Sequence, residues 1–161
     1  MGDMEAMRKK LYYEDFTTGQ QLRSKSSYTI SRENAIAFAR EYDPQPQHMD
    51  EHEAQGTTFG NLVVSGWQTA AVSMRLKEQT GLYDVSGGLI GVGIENIRWP
   101  RPTLPGDSLH VVVTVLEKRL SKSQSGKGII RYKVETFNQR DELAMEMTTT
   151  VIVPAPPEGQ H

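Results

Sequence analysis

Leu62-Val63-Val64-Ser65-Gly66-Trp67-Gln68, continuing as TAAVSMRLKEQTG to Gly81, is the stretch that decides how this chain folds. Ser65 with Gln68 three residues later is the pattern of a capping box, in which two residues bond each other's backbone at a helix start. Beyond Trp67, small and apolar residues are spread nearly all round the helix, which predicts that the helix is buried. At ~1.5 Å per residue, a helix of this extent is roughly 22 Å long.

Gly66 stands at the amino end of this predicted helix. Backbone N–H groups there have no partner within the helix, and the helix dipole is positive. Because glycine has no Cβ, a carbonyl oxygen of a ligand can approach its backbone closely, which makes Gly66 a candidate oxyanion-binding residue. The alternative is that Gly66 only permits close packing of the helix.

The rest of the chain predicts a short extended segment, a first helix and then a run of strands. Residues 21–30 look extended, and Ser31 is a helix N-cap ahead of apolar residues at helical spacing that end at Asp43-Pro44. Runs rich in Val, Ile, Thr and Tyr, separated by turns, predict strands over 89–99, 108–120, 128–138 and 142–153. This order is typical of an α+β fold in which an antiparallel sheet curls around one helix.

The segment Tyr42-Asp43-Pro44-Gln45-Pro46-Gln47-His48-Met49-Asp50 places a carboxylate and an imidazole five residues apart, with two prolines between them. Proline fixes φ and lacks an N–H, so we expect a stiff loop here rather than a regular helix. An acid beside an imidazole can move protons at neutral pH, which makes Asp43 and His48 a candidate acid–base pair around a water molecule. The alternative is a helix-capping aspartate and a surface histidine.

The two histidines of this region also raise the question of a metal site. His48 and His52 are four residues apart, with Asp50 and Glu51 between them. The chain has no cysteine to complete such a site, and it lacks the glutamate that directly follows the first histidine in zinc proteases. The expected loop also argues against His48 lying within a helix. We therefore expect no metal and interpret the segment around His52 as a solvated acidic turn.

Composition limits the classes of function. The 161 residues favour one domain, which we place at 11–153 between a flexible N-terminus (1–10) and a flexible C-terminal tail (154–161). The net charge of −2 gives no field that attracts nucleic acid, and no apolar run approaches a membrane span. The absence of cysteine excludes disulfides and thiolate chemistry. With a charged rather than apolar start, we expect a cytoplasmic protein.

Three segments together resemble a known family. They are DPQPQH at 43–48, FGNLVVSG at 59–66, and IRWPRP at 97–102 followed by PGDSL at 105–109. They are similar to the Asp-x-Asn-Pro-x-His, His-Gly and Pro-Val/Gly-Asp segments of the MaoC-like dehydratase family, whose members include (R)-specific enoyl-CoA hydratases. The resemblance covers roughly residues 11–153.

The resemblance implies a hot-dog fold, with an antiparallel β-sheet wrapped around a long central helix that starts at Gly66. It implies a homodimer or higher homo-oligomer with the active site at or near the subunit interface. By position, Asp43 and His48 would hold and activate a water molecule, and the Gly66 N–H would bind a thioester carbonyl. Gln45 and Ser65 are the neighbouring substrate-binding positions, where the family usually has asparagine and histidine.

The substrate implied by the resemblance is an acyl thioester, usually of coenzyme A, so that coenzyme A enters as part of the substrate and no separate cofactor is expected. The predicted reaction is addition of water to a 2-enoyl thioester, or its removal from a 3-hydroxyacyl thioester. Two alternatives stay open. A thioesterase would use the same oxyanion helix with water attacking C1, and a non-catalytic acyl-CoA-binding subunit would use the fold without chemistry.

Overall fold

The computed structural model describes residues 9–155, and the predicted flexible ends, 1–10 and 154–161, lie mostly outside them. Pro154 itself still belongs to the last strand. The helices are α1 (Arg32–Tyr42), α2 (Pro46–Met49), α3 (Glu51–Gln55) and α4 (Gly66–Glu78). The strands are β1 (Gln21–Arg23), β2 (Tyr28–Thr29), β3 (Ile90–Arg98), β4 (Ser108–Leu120), β5 (Lys127–Phe137) and β6 (Leu143–Pro154).

The strands form one antiparallel sheet in the order β1-β4-β5-β6-β3, with β2 pairing the start of β4. β4, β5 and β6 make the predicted meander, because each is a run of β-branched residues that ends at a polar turn. The four long strands fall within a residue or so of their predicted limits. The α+β arrangement predicted from the sequence is therefore confirmed.

α1 begins and ends where the sequence predicts. The Ser31 side chain accepts a hydrogen bond from the Asn34 N–H, and the helix stops at Asp43, whose N–H still bonds the Ala39 carbonyl. Asp50 likewise caps α3 by accepting from the Glu53 N–H. These caps hold the segment that carries the candidate acid–base pair at both of its ends.

The expectation that residues 44–49 form only a loop is wrong. Pro46 occupies the first position of the one-turn helix α2, and His48 lies within that turn. Proline is tolerated at a first helical position because the N–H that it lacks would have no partner there. The prolines therefore start a short helix after the break at Asp43, rather than preventing one.

α4 begins at Gly66, as predicted, with the Ser65 hydroxyl accepting from the Trp67 N–H. The capping box is not formed, because the Gln68 side chain turns away and donates to Asn34 on α1 instead. The helix is buried on one face only: Leu76 lies against the sheet, whereas Trp67 and Met74 are exposed. The prediction of burial all round is therefore wrong for this chain.

The core lies between the buried face of α4 and the concave side of the sheet. Its members include Leu76 of α4 with Val113 of β4, Tyr132 of β5 and Met145 of β6, all at 1% exposure or less. α4 also bonds the sheet through polar groups, with the Ser73 hydroxyl 2.6 Å from the Thr136 hydroxyl. Within the described residues, the search for a helix with the length and apolarity of a membrane span found none.

Candidate active site

Asp43 and His48 converge where α1 ends and α2 begins. His48 Nε2 lies 3.4 Å from Asp43 Oδ2, and the two side chains are only 9% and 15% exposed. The end of α1 at Asp43 and the single helical turn from Pro46 to Met49 bring the carboxylate and the imidazole to the same side. The structure therefore places the predicted acid and base together, at the end of one helix and inside the next.

The backbone fixes the orientation of the His48 ring. Nδ1 lies 2.8 Å from the Val63 carbonyl oxygen, which can only accept, so Nδ1 carries a proton. In the neutral imidazole Nε2 then has the free lone pair and faces the Asp43 carboxylate. Val63 also donates its own N–H to the Gln47 carbonyl, which ties the residues before α4 to α2.

Ser65 and Gln45 both bond Asp43. The Ser65 hydroxyl donates to Oδ2 at 2.6 Å, and the Gln45 amide donates to Oδ1 at 2.7 Å. Burial acts to raise the pKa of the Asp43 carboxyl, but the bonds from Ser65 and Gln45 and the nearby His48 together lower it below its ordinary value. The carboxylate is thus held in its ionised form.

Gln47 extends this network by one step, because its amide donates to the Gln45 side-chain oxygen at 3.0 Å. That bond fixes which end of the Gln45 amide is free to donate to Asp43. Gln45 and Gln47 thus form a short chain of hydrogen bonds that ends on Asp43, and Gln47 is a neighbour of the site that the sequence did not indicate.

Gly66 is the first residue of α4, directly after Ser65. The space that a side chain at position 66 would occupy is taken by the Trp99 ring. A Cβ at position 66 would meet Trp99 Cε2 at 2.7 Å, closer than real Cβ contacts. The Trp99 ring N–H also donates to the Gly66 carbonyl at 2.9 Å, and the ring packs edge-on against Trp67 with centroids 5.4 Å apart. Gly66 thus has a packing role as well as a free N–H at the helix start.

One cavity of about 430 Å³ contains these groups. Asp43, His48, Gly66 and the two tryptophans, Trp67 and Trp99, all line it. Phe59, Val63 and Val64 supply apolar surface, and Arg101 stands at its wall, paired with Glu142 at 2.9 Å. The cavity therefore places an imidazole and a carboxylate near the amino end of α4, beside apolar surface.

His52, the histidine that the sequence places in a solvated acidic turn, lies outside the cavity. His52 is exposed on α3 and only the His48 ring faces the cavity. Across residues 9–155 no three histidine, cysteine, aspartate or glutamate side chains are grouped as metal ligands would be. His48 and Asp43, side by side in the cavity, can exchange protons with a small molecule bound there.

A family model described as a MaoC like domain matches residues 15–138. This chain belongs to the MaoC-like dehydratase family. The matched region includes Asp43, His48 and Gly66 and most of the sheet. The family is one of hydro-lyases, enzymes that add water to a carbon–carbon double bond or form that bond by removing water, and the chain shares this general class.

Two relatives support the assignment. The MaoC-like dehydratase from Rhodospirillum rubrum superposes with a TM-score of 0.84 at 42% identity, covering 91% of this chain and 99% of the other. The uncharacterized protein YdeM of Bacillus subtilis (strain 168) is 31% identical over 142 residues, covering 87% of this chain and 96% of YdeM. The resemblance to this MaoC-like family seen in the sequence is confirmed.

A third comparison bears on the fold alone. The (R)-hydratase from A. caviae involved in PHA biosynthesis has a TM-score of 0.67 at 24% identity, covering 89% of this chain and 99% of that enzyme. The curved antiparallel sheet around α4 is the hot-dog fold, as predicted.

Proposed function

We propose that this protein is a hydratase/dehydratase that interconverts a 2-enoyl thioester and a 3-hydroxyacyl thioester, most simply of coenzyme A. The observation that carries the proposal is a single cavity that joins the Asp43–His48 pair to the amino end of α4. An acid–base pair alone can serve many reactions. Beside a site for a developing oxyanion, it matches the two needs of water addition to a conjugated thioester.

Water would be held between His48 and Asp43. Because Nδ1 is protonated against Val63, Nε2 is free to accept one hydrogen of the water while Asp43 Oδ2 accepts the other. The 3.4 Å separation of these two atoms is long for a direct hydrogen bond, and both can contact one water oxygen lying to the side. Such a water has its lone pairs directed away from both bases, toward a substrate carbon.

The substrate carbonyl would lie against the Gly66 N–H at the start of α4. As the water oxygen bonds C3, the π electrons of the double bond move toward the thioester oxygen, which becomes an enolate oxyanion. The helix dipole and the N–H stabilise that charge, and a single donor of this kind is typically worth ~3 kcal/mol. The proton lost by water passes to the base pair, and a proton returns to C2 to give the 3-hydroxyacyl thioester.

Gln45 and Ser65 would keep Asp43 ionised and oriented throughout this cycle. Both are departures from the residues that the family usually carries, yet each donates to a different oxygen of Asp43. We infer that the site is intact rather than degraded. No separate cofactor is required in this scheme, because coenzyme A is part of the substrate and its thioester bond stays intact while water is added or removed.

We also propose that the protein acts as a homodimer, or a higher homo-oligomer, formed along β3. This strand is one of the two edges of the sheet, and Ile90, Val92 and Ile94 are each more than half exposed on it. Trp67 and Met74 on the outer face of α4 are exposed as well. An apolar edge strand invites pairing with a second copy, which would cover both surfaces. A cytoplasmic location stays a prediction.

The direct test is incubation of the purified protein with 2-enoyl-CoA thioesters of several lengths. Loss of the ultraviolet absorbance of the conjugated thioester reports hydration, and release of free thiol reports thioesterase activity. We expect loss of conjugation without thiol release, reduced by at least ~100-fold in Asp43→Asn and His48→Gln. The exposed neighbours Asp50→Asn and His52→Gln serve as matched controls and should leave the rate near that of the wild type.

Two results would contradict the proposal. Thiol release without hydration would make the protein a thioesterase. Binding of acyl-CoA without either reaction would make it a non-catalytic binding subunit.

A further inference from the structure

A second cavity lies between α4 and the part of the sheet that ends in the edge strand β3. It measures about 540 Å³, and its walls are mostly apolar, formed by Met74, Leu89, Val92 and Ile94 among others. Its polar lining comes from Lys77 on α4, Tyr83, Tyr132 on β5 and Thr149 on β6. None of these polar residues belongs to the cavity of the Asp43–His48 pair.

Lys77 is the unusual member of this lining, because a lysine is rarely buried without a carboxylate. The residue is 1% exposed, and its Nζ donates to the Tyr132 hydroxyl at 3.0 Å. The rings of Tyr132 and Tyr83 flank the amine at 5.1 and 5.5 Å from their centroids. No aspartate or glutamate among the described residues forms an ion pair with it.

Hydrogen-bond donors outnumber acceptors at this point of the cavity. An ammonium has three N–H donors, and the Tyr132 hydroxyl uses one of them. Tyr132 in turn has its own O–H to donate. Thr149 lies opposite Tyr132 in the strand register, and its buried hydroxyl meets the full geometry of a hydrogen bond with no group in the part of the chain that the structure describes. It still lies close enough to Tyr132 to lower the pKa of that phenol as a weak hydrogen bond would, against the larger raising effect of burial.

A ligand that both accepts from these donors and balances the charge of the ammonium must be negatively charged, and it must be small enough to reach the amine. A carboxylate fits, because its single charge balances one ammonium and its two oxygens can accept from several donors at once. A phosphate dianion fits less well, since one lysine in an apolar wall leaves a second charge uncompensated. We propose that this cavity binds a carboxylate, held by Lys77 Nζ and the hydroxyls of Tyr132 and Thr149.

The carboxylate can come from two sources. It can belong to a free carboxylic acid that occupies the cavity on its own, or it can be the far end of a dicarboxylic acyl thioester. The second source rests on the proposed function. Gly66 and Lys77 lie on the same side of α4, eleven residues apart, which is about 16 Å along the helix axis. A dicarboxylic acyl group with its thioester at Gly66 would have to span this distance to place its terminal carboxylate near Lys77.

Pairing of β3 with a second copy would deepen this site. Gly91, Val92, Gly93 and Ile94 form its rim, so a strand added at that edge would close the cavity from solvent. Less water around the amine makes its attraction for a carboxylate stronger. The carboxylate site and the proposed dimer are thus compatible.

The test uses two arms, and its main variant is Lys77→Met, which nearly keeps the length of the side chain and removes its charge. In the first arm, binding of succinate, glutarate and adipate to the full-length protein is measured by calorimetry, against the corresponding dimethyl esters. In the second arm, kcat/KM is measured for 2-enoyl-CoA thioesters that end in a carboxylate or in its methyl ester. Arg75→Met, an exposed change on the same helix, is the control.

In at least one arm, we expect the binding affinity or the kcat/KM of the wild type to be at least about tenfold higher for the carboxylate than for its ester. A difference of this size corresponds to one charge-assisted hydrogen bond. Lys77→Met should remove the preference and leave the ester unchanged, whereas Lys77→Arg and Arg75→Met should keep it. Thr149→Val, which removes only a hydroxyl, should reduce it in part. The first arm needs no turnover, so it decides on binding of free acids even if no thioester is hydrated.

Equal treatment of acid and ester by the wild type in both arms would overturn the proposal. So would a preference that survives Lys77→Met. A Lys77→Met variant that becomes monomeric while carboxylate binding is unchanged would assign the amine to contacts between subunits and would equally overturn the carboxylate site.

Discussion

The Ser65 hydroxyl donates a 2.6 Å hydrogen bond to Asp43 Oδ2, the same oxygen that lies 3.4 Å from His48 Nε2. Ser65 is also the N-cap of α4, accepting from the Trp67 N–H at 3.2 Å. One side chain therefore connects the start of the central helix to the candidate general base pair. The same hydroxyl therefore contacts both the amino end of α4, the proposed oxyanion-binding position, and the Asp43 carboxylate.

Replacing Ser65 by alanine should therefore affect both activity and its pH dependence. Loss of the bond raises the pKa of Asp43, so the acid limb of the rate profile should move to higher pH, and hydration should slow by roughly tenfold. In the wild type, the lowered pKa of Asp43 adds stability above its ordinary value of 3.8 that is lost as the pH falls through the folded value. The free energy of unfolding of Ser65→Ala should therefore fall by less than that of the wild type as the pH is lowered through this range.

The matched control is Ser73→Ala, the same change at another buried serine of α4. Its hydroxyl bonds Thr136 and the Thr69 carbonyl, away from Asp43. It should lower the free energy of unfolding by about 1 kcal/mol and leave the pH profile in place. A pH profile that is identical in Ser65→Ala and wild type would show that Ser65 does not act through Asp43.

Gly66→Ala tests whether position 66 needs glycine because Trp99 packs there or because a ligand carbonyl binds there. The added methyl would meet the indole ring, so we expect a loss of about 1–3 kcal/mol in stability. Adding Trp99→Leu removes the clash and should restore part of that loss, measured by urea unfolding. If activity stays low in the double variant while stability returns, the methyl also crowds the carbonyl site. Stability that does not recover at all would contradict the Trp99 contact.

The dimer is tested at the exposed edge strand. Ile94→Lys places a charge on β3, where it would face the second copy, and should convert the protein to a monomer in light scattering or sedimentation. Leu120→Lys on β4 is the matched control, because both side chains are 57% exposed in the single chain. If both variants keep the oligomeric state of the wild type, the contact does not run through β3.

Lys77 predicts an unusual dependence of stability on pH. Burial lowers the pKa of its amine from 10.5 to about 8, so between these values the unfolded chain binds more protons than the folded one. Stability should therefore rise with pH above 8, by up to about 3 kcal/mol. Above pH 10 the raised pKa values of Tyr132 and Tyr83 act in the opposite direction, because their unfolded forms lose protons first.

Urea unfolding of the wild type and Lys77→Met across this range checks the prediction. The variant should be more stable than the wild type at neutral pH and should show no rise up to pH 10. Arg75→Met should behave as the wild type does. A wild-type curve that is flat between pH 8 and pH 10 would mean that the Lys77 amine is well solvated or paired in the native state.

The strands could be predicted because runs of Val, Ile, Thr and Tyr between polar turns leave few other choices, and the start of α4 because Ser65-Gly66 is a strong helix signal. Asp43 and His48 could be found because they are close in sequence. α2 was missed because Pro46 reads as a helix breaker, although a first helical position tolerates it. The exposed face of α4 was missed because its apolar residues read as core.

The contacts made across the fold lay beyond the sequence. Ser65 and Asp43 are 22 residues apart, and the fold brings the N-cap of α4 to the residue that ends α1. Trp99 lies 33 residues from Gly66, and nothing in the sequence around it indicates that its ring occupies the space beside the glycine. Lys77 reads as a solvent-exposed lysine, because one lysine in a helix gives no sign of which face it occupies.

Hydration of a 2-enoyl-CoA in water labelled with oxygen-18, followed by mass spectrometry of the product, tests the central claim most directly. Addition of water across the double bond predicts one heavy oxygen at C3 of an intact 3-hydroxyacyl thioester, and an unlabelled thioester carbonyl. Label found instead in a free carboxylic acid, or a thioester recovered with its double bond and without label, would contradict the assignment of this site.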